Sequence, residues 1–281
     1  MFKYIVTFAQ FIFMRKINAC FIILILIVSC NCNNTTVSTN TVIAGNDNSP
    51  AIMQYSILKV YPHDTASFTE GLYLSNNFLF ESTGMNGESK LRKVDLTNGK
   101  ATQEIKLDTS LFGEGISMID GKIYQLTYRE HKVFVYDAAT FKKIKEMQWP
   151  FEGWGMTTDG KQLIISTGSS NLYYVNPDDF KILKTVNITD NNGPVGNINE
   201  LEYVDGKIYA NVYETFYIIK INPESGTVES KADLTGILEK TGTHYNPQKI
   251  DVLNGIAYNA ANKSFYITGK YWPALFEVKF N

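Results

Sequence analysis

A unit of short strands recurs five times along most of this chain, and that repetition restricts the fold more than any other feature of the sequence. From about Tyr55 onward, runs rich in Tyr, Phe, Ile and Val are separated by Asp-Gly or Asn-rich turns. Asp120-Gly121-Lys122, Asp159-Gly160-Lys161 and Asp205-Gly206-Lys207 are hairpin signals, because tight turns between antiparallel strands need positive φ, which Asp, Asn and Gly tolerate best. Each unit opens with a first strand, at residues 70–73, 114–117, 154–157, 200–203 and 254–257, and these starts step by 44, 40, 46 and 54 residues. A second strand follows a tight turn (79–81, 123–125, 163–165, 208–210, 265–267), and a third ends near Asp95, Asp137, Asn176, Asn222 and Lys279. No long segment keeps a 3.6-residue apolar period, and only 234–240 is expected to form a helical turn or two. Several strands per unit of this length predict an all-β chain folded as a five-bladed β-propeller. A pair of stacked sheets is the alternative. One strand, 56–61, precedes the first unit, while the last unit ends after its third strand at Asn281. The N-terminal strand is therefore expected to complete the last blade and remove an open edge.

The phase of the repeat carries the functional reading. First strands of propeller blades lie along the central axis, so equivalent positions form a ring. The position preceding the recurrent glycine is occupied in the aligned units by Glu70, Glu114, Trp154, Glu200 (with Leu201 in the glycine's place) and Asn254, and these five side chains are expected to converge. Tyr128, Tyr213 and Lys270, just beyond the second strands, form a neighbouring tier. Carboxylates gathered in a narrow, partly dry channel perturb one another's protonation, which is how catalytic acids and bases are often made. A propeller axis also needs polar groups simply to bridge blades, and position alone does not separate the two readings.

Other chemistry is sparse. With 26 Lys and Arg against 28 Asp and Glu, a formal charge of −2 removes the case for an electrostatic nucleic-acid binder. All three cysteines (Cys20, Cys30, Cys32) precede residue 33, which excludes a thiolate nucleophile, a cysteine metal site or a disulfide framework from the repeats. His63, His131 and His244 show no metal-ligand spacing and are expected to be structural or at the surface. There is no nucleophile elbow, phosphate loop or dinucleotide fingerprint.

The first residues form an address. Arg15 and Lys16 precede an apolar run over 21–28, shorter than the roughly 20 residues of a comfortable membrane span, and a small residue follows. Met14 resembles a natural start better than Met1 does. Ile27-Val28-Ser29-Cys30 resembles the lipobox of bacterial lipoproteins, which implies lipidation of Cys30. The expected organisation is a signal peptide over 1–29, a flexible tether over 30–54 rich in Asn, Thr, Ser and Gly, and a propeller over 55–281. The exported protein, at about −5, would be anchored by its lipid to a membrane of the bacterial cell envelope.

Several ordered motifs then carry a family resemblance. Phe68-Thr69-Glu70-Gly71-Leu72, Phe80-Glu81-Ser82-Thr83-Gly84, Phe112-Gly113-Glu114-Gly115, Gly153-Trp154-Gly155, Asn199-Glu200-Leu201-Glu202-Tyr203, Asp251-Val252-Leu253-Asn254-Gly255-Ile256-Ala257 and Thr268-Gly269-Lys270-Tyr271-Trp272-Pro273 resemble the plant-type glutaminyl-peptide cyclotransferases and their bacterial relatives. The resemblance implies a five-bladed propeller that converts the N-terminal Gln of peptides or proteins to pyroglutamate with release of ammonia, with no metal or other cofactor required. Glu114 matches the family's catalytic glutamate, and Asn199 and Lys270 match its polar partners. Phe68, Phe112 and Trp154 match the wall of its pocket. Tyr128 and Tyr213 fall where the plant enzyme has tryptophans, and Glu70 stands where it has Gln, which sets a second acid near Glu114. Two other functions are compatible with the ring of polar residues. One is a divalent-metal-dependent hydrolase or lactonase with Glu70, Glu114, Glu200 and Asn254 as oxygen ligands. The other is a non-catalytic binding propeller of the cell envelope.

Overall fold

A computed structural model describes residues 49–281. The expected signal peptide, Cys30 and the expected tether up to residue 48 lie outside the described residues. Two strands come first, β1 (Ala51–Ile52) and β2 (Tyr55–Pro62). Blade 1 contains β3 (Thr69–Ser75), β4 (Phe78–Thr83), β5 (Lys90–Asp95) and β6 (Lys100–Lys106). Blade 2 contains β7 (Gly113–Ile119), β8 (Lys122–Thr127), β9 (Lys132–Asp137) and β10 (Lys143–Gln148). Blade 3 contains β11 (Met156–Thr158), β12 (Leu163–Ser166), β13 (Asn171–Val175) and β14 (Ile182–Asn187), followed by a small hairpin of β15 (Thr189–Asp190) and β16 (Gly193–Pro194). Blade 4 contains β17 (Ile198–Val204), β18 (Lys207–Val212), β19 (Tyr217–Ile221) and β20 (Val228–Asp233). After one helical turn, α1 (Ile237–Lys240), blade 5 supplies β21 (Leu253–Asn259), β22 (Ser264–Gly269) and β23 (Ala274–Phe280).

Each blade is an antiparallel meander whose first strand is innermost, and β3, β7, β11, β17 and β21 neighbour one another in a closed ring. Five blades and the single turn of helix agree with the repeat count. The expected closure is present: β2 pairs antiparallel with β23, from Tyr55 against Phe280 to Pro62 against Ala274, and becomes the outer strand of blade 5. One boundary differs from the expected one. Ala51–Ile52 pairs parallel with β20, and Met53 is buried, so blade 4 already holds residues read from composition as tether.

Second strands are buried on both faces by adjoining blades, which is why Leu163, Ile164 and Ile165 are apolar without alternation. In blades 1 to 3 the fourth strands are mostly exposed or half-buried and end the sheet in water, as in Lys100–Lys106. Asp120-Gly121 and Asp205-Gly206 form two-residue hairpins with positive φ at both positions, the backbone that the turn signals require. At the seam of blades 5 and 1, buried His63 meets Trp272 O at 2.8 Å through Nδ1 and Glu81 Oε1 at 2.9 Å through Nε2. Burial alone would lower the His63 pKa, but the Glu81 carboxylate outweighs it and raises it. His63 is therefore structural, its two ring nitrogens tying the start of blade 1 to blade 5.

The axis is organised by a bulge. In β3, β7, β17 and β21 one extra residue interrupts the register with the second strand. Leu72, Ile116, Leu201 and Ile256 then face equivalent residues, Glu81, Gln125, Ala210 and Ile267. The residue before each is Gly71, Gly115, Glu200 and Gly255, and the residue before that is Glu70, Glu114, Asn199 and Asn254. Glycine is required where neighbouring inner strands touch: a Cβ on Gly115 would lie 2.4 Å from Trp154 O, and one on Gly155 2.1 Å from Asn199 O. Blade 4 alone has a side chain in this slot. Glu200 is fully buried, and its carboxylate accepts the backbone N–H of Leu72 at 3.1 Å and of Ile256 at 2.7 Å, joining blade 4 to blades 1 and 5. One tier further along, buried Glu202 accepts the Tyr258 N–H at 2.8 Å and faces the Thr157 hydroxyl at 3.4 Å.

Two outcomes follow for stability. Glu200→Ala leaves the Leu72 and Ile256 amides buried without acceptors, at about 1–3 kcal/mol each. The denaturant midpoint should fall accordingly, and an unchanged midpoint would contradict the bridging role. Burial, opposed by the Tyr258 amide and the Thr157 hydroxyl, pushes the Glu202 pKa up to about 8. An unfolded glutamate titrates at about 4.3, so the folded state holds a proton that the unfolded state releases. The stability from this group is complete below that lower value and is lost as pH rises through the folded one. Thermal melts should show stability declining with pH across this window, and declining less in Glu202→Gln.

Candidate active site

The cavity at one end of the axis is built from three repeated positions. Loops before the first strands contribute Phe68 and Phe112, each two residues ahead of an axial glutamate. Bulged positions contribute Glu70, Glu114 and Asn199, and blade 3 contributes Trp154 just ahead of β11. Residues just past the second strands contribute Tyr128, Tyr213 and Lys270. Backbone bonds fix this outer tier: Tyr128 N–H donates to Phe112 O at 3.0 Å, Tyr213 N–H to Asn197 O at 2.8 Å, and Lys270 N–H to Val252 O at 2.9 Å. The cavity holds about 150 Å³. Sites for drug-sized ligands run from about 300 to 1,000 Å³, so this one admits a group the size of a single residue.

Aromatic rings make the wall. Phe68 meets Phe112 edge-on at 6.0 Å between centroids, Phe112 meets Tyr128 at 5.7 Å, and Trp154 meets Tyr213 edge-on at 5.5 Å. Gly84 leaves the space that the phenylalanines occupy, since a Cβ there would sit 2.3 Å from Phe112 Cε1. Trp154 is oriented by its indole N–H, which donates to Glu152 Oε2 at 3.3 Å.

Polar groups converge at the floor. Lys270 Nζ donates to Glu70 Oε1 at 2.7 Å, and its ammonium also lies 4.3 Å from the Phe68 ring centroid. Asn254 Nδ2 donates to Glu70 Oε2 at 3.2 Å and to Thr69 O at 2.9 Å. Burial works to raise the Glu70 pKa, with the Lys270 ammonium opposing it. Burial raises Glu114 well above the ordinary carboxyl range, and the charge of Glu70 adds to that rise. For Lys270, burial works to lower the pKa, but the carboxylates of Glu70 and Glu114 outweigh it and raise it. The lysine therefore stays charged. Asn199 Oδ1 is buried with no hydrogen-bond partner among the described residues, an acceptor left for the N–H of a ligand. The chamber thus offers a proton-holding carboxyl, a fixed cation and an open amide behind a water-excluding wall.

The structure brings Phe68, Glu70, Phe112, Glu114, Tyr128, Trp154, Asn199, Tyr213 and Lys270 together around this cavity. Glu200 and Asn254, also read as substrate-binding, do not line it. The phase of blade 4 is the reason. Glu200-Leu201 lacks the glycine that marks the other repeats, and the bulge register makes Asn199, not Glu200, the equivalent of Glu70 and Glu114. Glu200 lies behind the floor with both oxygens occupied by amides. Asn254 holds the right phase but spends its amide N–H groups on Glu70 and Thr69. The four-oxygen metal set is accordingly not assembled, and Lys270 sits on Glu70 where a dication would have to bind. Sequence reading passed over Glu152, which occupies in blade 3 the position of Phe68 and Phe112, and Tyr271, whose ring packs 5.1 Å from Phe68.

Comparison with known proteins agrees with this architecture. The family model for glutamine cyclotransferase matches residues 24–280. A glutaminyl-peptide cyclotransferase of Arabidopsis thaliana is 37% identical over 238 residues, covering 83% of this chain and 73% of the relative. Among solved structures, the glutaminyl cyclase of Myxococcus xanthus aligns with a TM-score of 0.76 at 32% identity, over 83% of this chain and 98% of that one. An axial chamber of this composition, in a five-bladed propeller matched over nearly all its length, places the chain in the glutamine cyclotransferase family.

Proposed function

We propose that this protein is a glutaminyl-peptide cyclotransferase, an acyltransferase that converts the N-terminal Gln of peptides or proteins to pyroglutamate and releases ammonia. The observation that carries the reading is a one-residue chamber in which a proton-holding carboxyl, Glu114, shares the floor with a charged lysine. The α-amine attacks the side-chain amide of its own residue, so no second molecule has to be brought in. The chamber's work is to hold Gln folded, with amine and amide carbon in contact. A free α-amine has a pKa of about 7.7–8.0, so near neutrality its proton must be managed by the site.

Glu114 gives its proton to the departing nitrogen and takes up the one that the attacking amine loses. Lys270 and the Asn199 amide N–H stabilise the oxygen of the tetrahedral intermediate, while Asn199 Oδ1 accepts from the leaving amide. Phe68, Phe112, Tyr128, Trp154 and Tyr213 pack the methylenes of the substrate and exclude water. Asn254 and Glu200 act behind them, the first by holding Glu70 and the second by fixing the strands that carry the floor.

We also propose export and lipid anchoring at Cys30, on the strength of the basic-apolar leader and the Ile27-Val28-Ser29-Cys30 motif. Among the described residues, no helix is long and apolar enough to cross a membrane. Cys30→Ser should move the protein from the membrane to the soluble fraction, and a variant still in the membrane fraction would refute lipidation at this residue.

Ammonia release from a short Gln-initiated peptide, in a coupled assay with and without chelator, tests the activity directly. Turnover should persist in chelator. Glu114→Gln should lose about 10²–10⁴-fold in kcat while staying folded by circular dichroism. Full activity in that variant would overturn the proton-transfer role.

A further inference from the structure

The floor of the chamber holds two carboxyls and one ammonium, all nearly excluded from water: Glu70 is 2% exposed, and Glu114 and Lys270 are each 5% exposed. A single fixed cation compensates a single anion, and an uncompensated buried carboxylate keeps its proton instead. Geometry decides which carboxyl is the anion. Glu70 receives Lys270 Nζ on one oxygen at 2.7 Å and Asn254 Nδ2 on the other at 3.2 Å. Glu114 has no ion pair with any cation among the described residues. Other groups facing the pair do not change this assignment. Asp251 and Glu70 itself are negative neighbours on the blade 5 and blade 1 side, and Glu130 and Glu152 are negative neighbours of Glu114. Glu200 lies behind Glu70, and the phenols of Tyr128 and Tyr213 border Glu114 and Lys270.

We propose that Glu70 is a second working member of the site: it carries the negative charge and thereby keeps Glu114 protonated in the free enzyme, so that the chamber takes up the substrate's α-amine in its neutral form. The proposal rests on the cyclotransferase reading and specifies how that reaction begins. The amine lone pair forms the N–Cδ bond while the carbonyl π pair moves onto oxygen beside Lys270. Glu114 gives its proton to the amide nitrogen, and the carboxylate so formed takes the proton that the attacking nitrogen must lose. The oxygen pair re-forms the carbonyl, the C–N bond breaks, and ammonia leaves as NH₃. Glu114 has given one proton and received one. Glu70 keeps its charge throughout, so it acts as a positioning residue through Glu114.

The expected signature is a pH profile set by two groups, the substrate amine and Glu114. Glu70→Gln removes the negative neighbour and leaves Lys270 free to act on Glu114, whose pKa must then fall. The optimum of kcat/KM with a Gln-initiated peptide should move to lower pH by at least one unit. A merely structural loss would lower the rate at an unmoved optimum, and that result would overturn the proposal. A second measurement covers a Glu70→Gln protein with no turnover. The infrared difference between the wild type and Glu114→Gln at neutral pH should contain the carbonyl stretch of a protonated carboxyl, and the same band should be missing from Glu70→Gln. No such band in the wild type would overturn the proposal independently of activity. A wild type that shows the band but releases no ammonia from any Gln-peptide would instead refute the cyclotransferase reading itself.

Discussion

The propeller depends on one carboxylate set in a position where the other four blades have glycine. Gly71, Gly115, Gly155 and Gly255 let inner strands approach closely around the axis, and Glu200 fills the space that they leave. Its two oxygens take amides from blades 1 and 5. Burying an acid with no cation against it is costly, and its pKa is pushed well above the usual range by burial, with those two amides pulling the other way. The return is directional. A hydrophobic side chain of similar size would fill the channel but would leave two inner-strand N–H groups without acceptors.

That bridge also shapes the chemistry above it. Above it, the next tier of the inner strands brings Glu70, Glu114, Trp154 and Asn199 to the chamber, with Asn254 held on Glu70. A bulge turns a side chain out of the regular alternation and aims it along the axis. The same irregularity in four blades therefore converts a structural ring into a set of convergent functional groups. Differences among the blades then assign the roles. Blades 1 and 2 present glutamates, blade 4 an asparagine whose carbonyl oxygen is open, and blade 5 an asparagine committed to holding Glu70. The lysine comes from the tier above, fixed by paired backbone bonds between residue 270 and residues 251 and 252.

Much of this was legible from the sequence because hairpin turns and doubly buried strands leave strong local marks. Asp120-Gly121 and Asp205-Gly206 demand a particular backbone, and runs such as Leu163-Ile164-Ile165 fit only a strand covered on both sides. Outer strands left weaker marks. Lys100–Lys106 and Lys143–Gln148 present mixed, half-exposed residues that composition alone does not separate from loop. The phase of blade 4 was hidden for a related reason. Asn199-Glu200-Leu201-Glu202 offers acids in both alternations and no glycine to fix the register, so only the pairing of Leu201 with Ala210 shows which residue faces the chamber. The commitment of Asn254 to Glu70 is likewise a tertiary fact, made between residues 184 positions apart.

The strand that completes blade 5 has a bearing on how the molecule comes into being. Tyr61 reaches across 216 positions to Glu277, so the ring is closed by one of the first strands of the domain and the last strand of the chain. Contacts that distant must bear the entropy of closing a very long loop before they return any stability, and such topologies form slowly. Until its final residues are available, a growing chain has four blades able to pair internally and a fifth lacking its last strand, with the axis still open. Without Ala274–Phe280, β2 has no partner and blade 5 no third strand, so closing the ring and completing its wall wait on that strand.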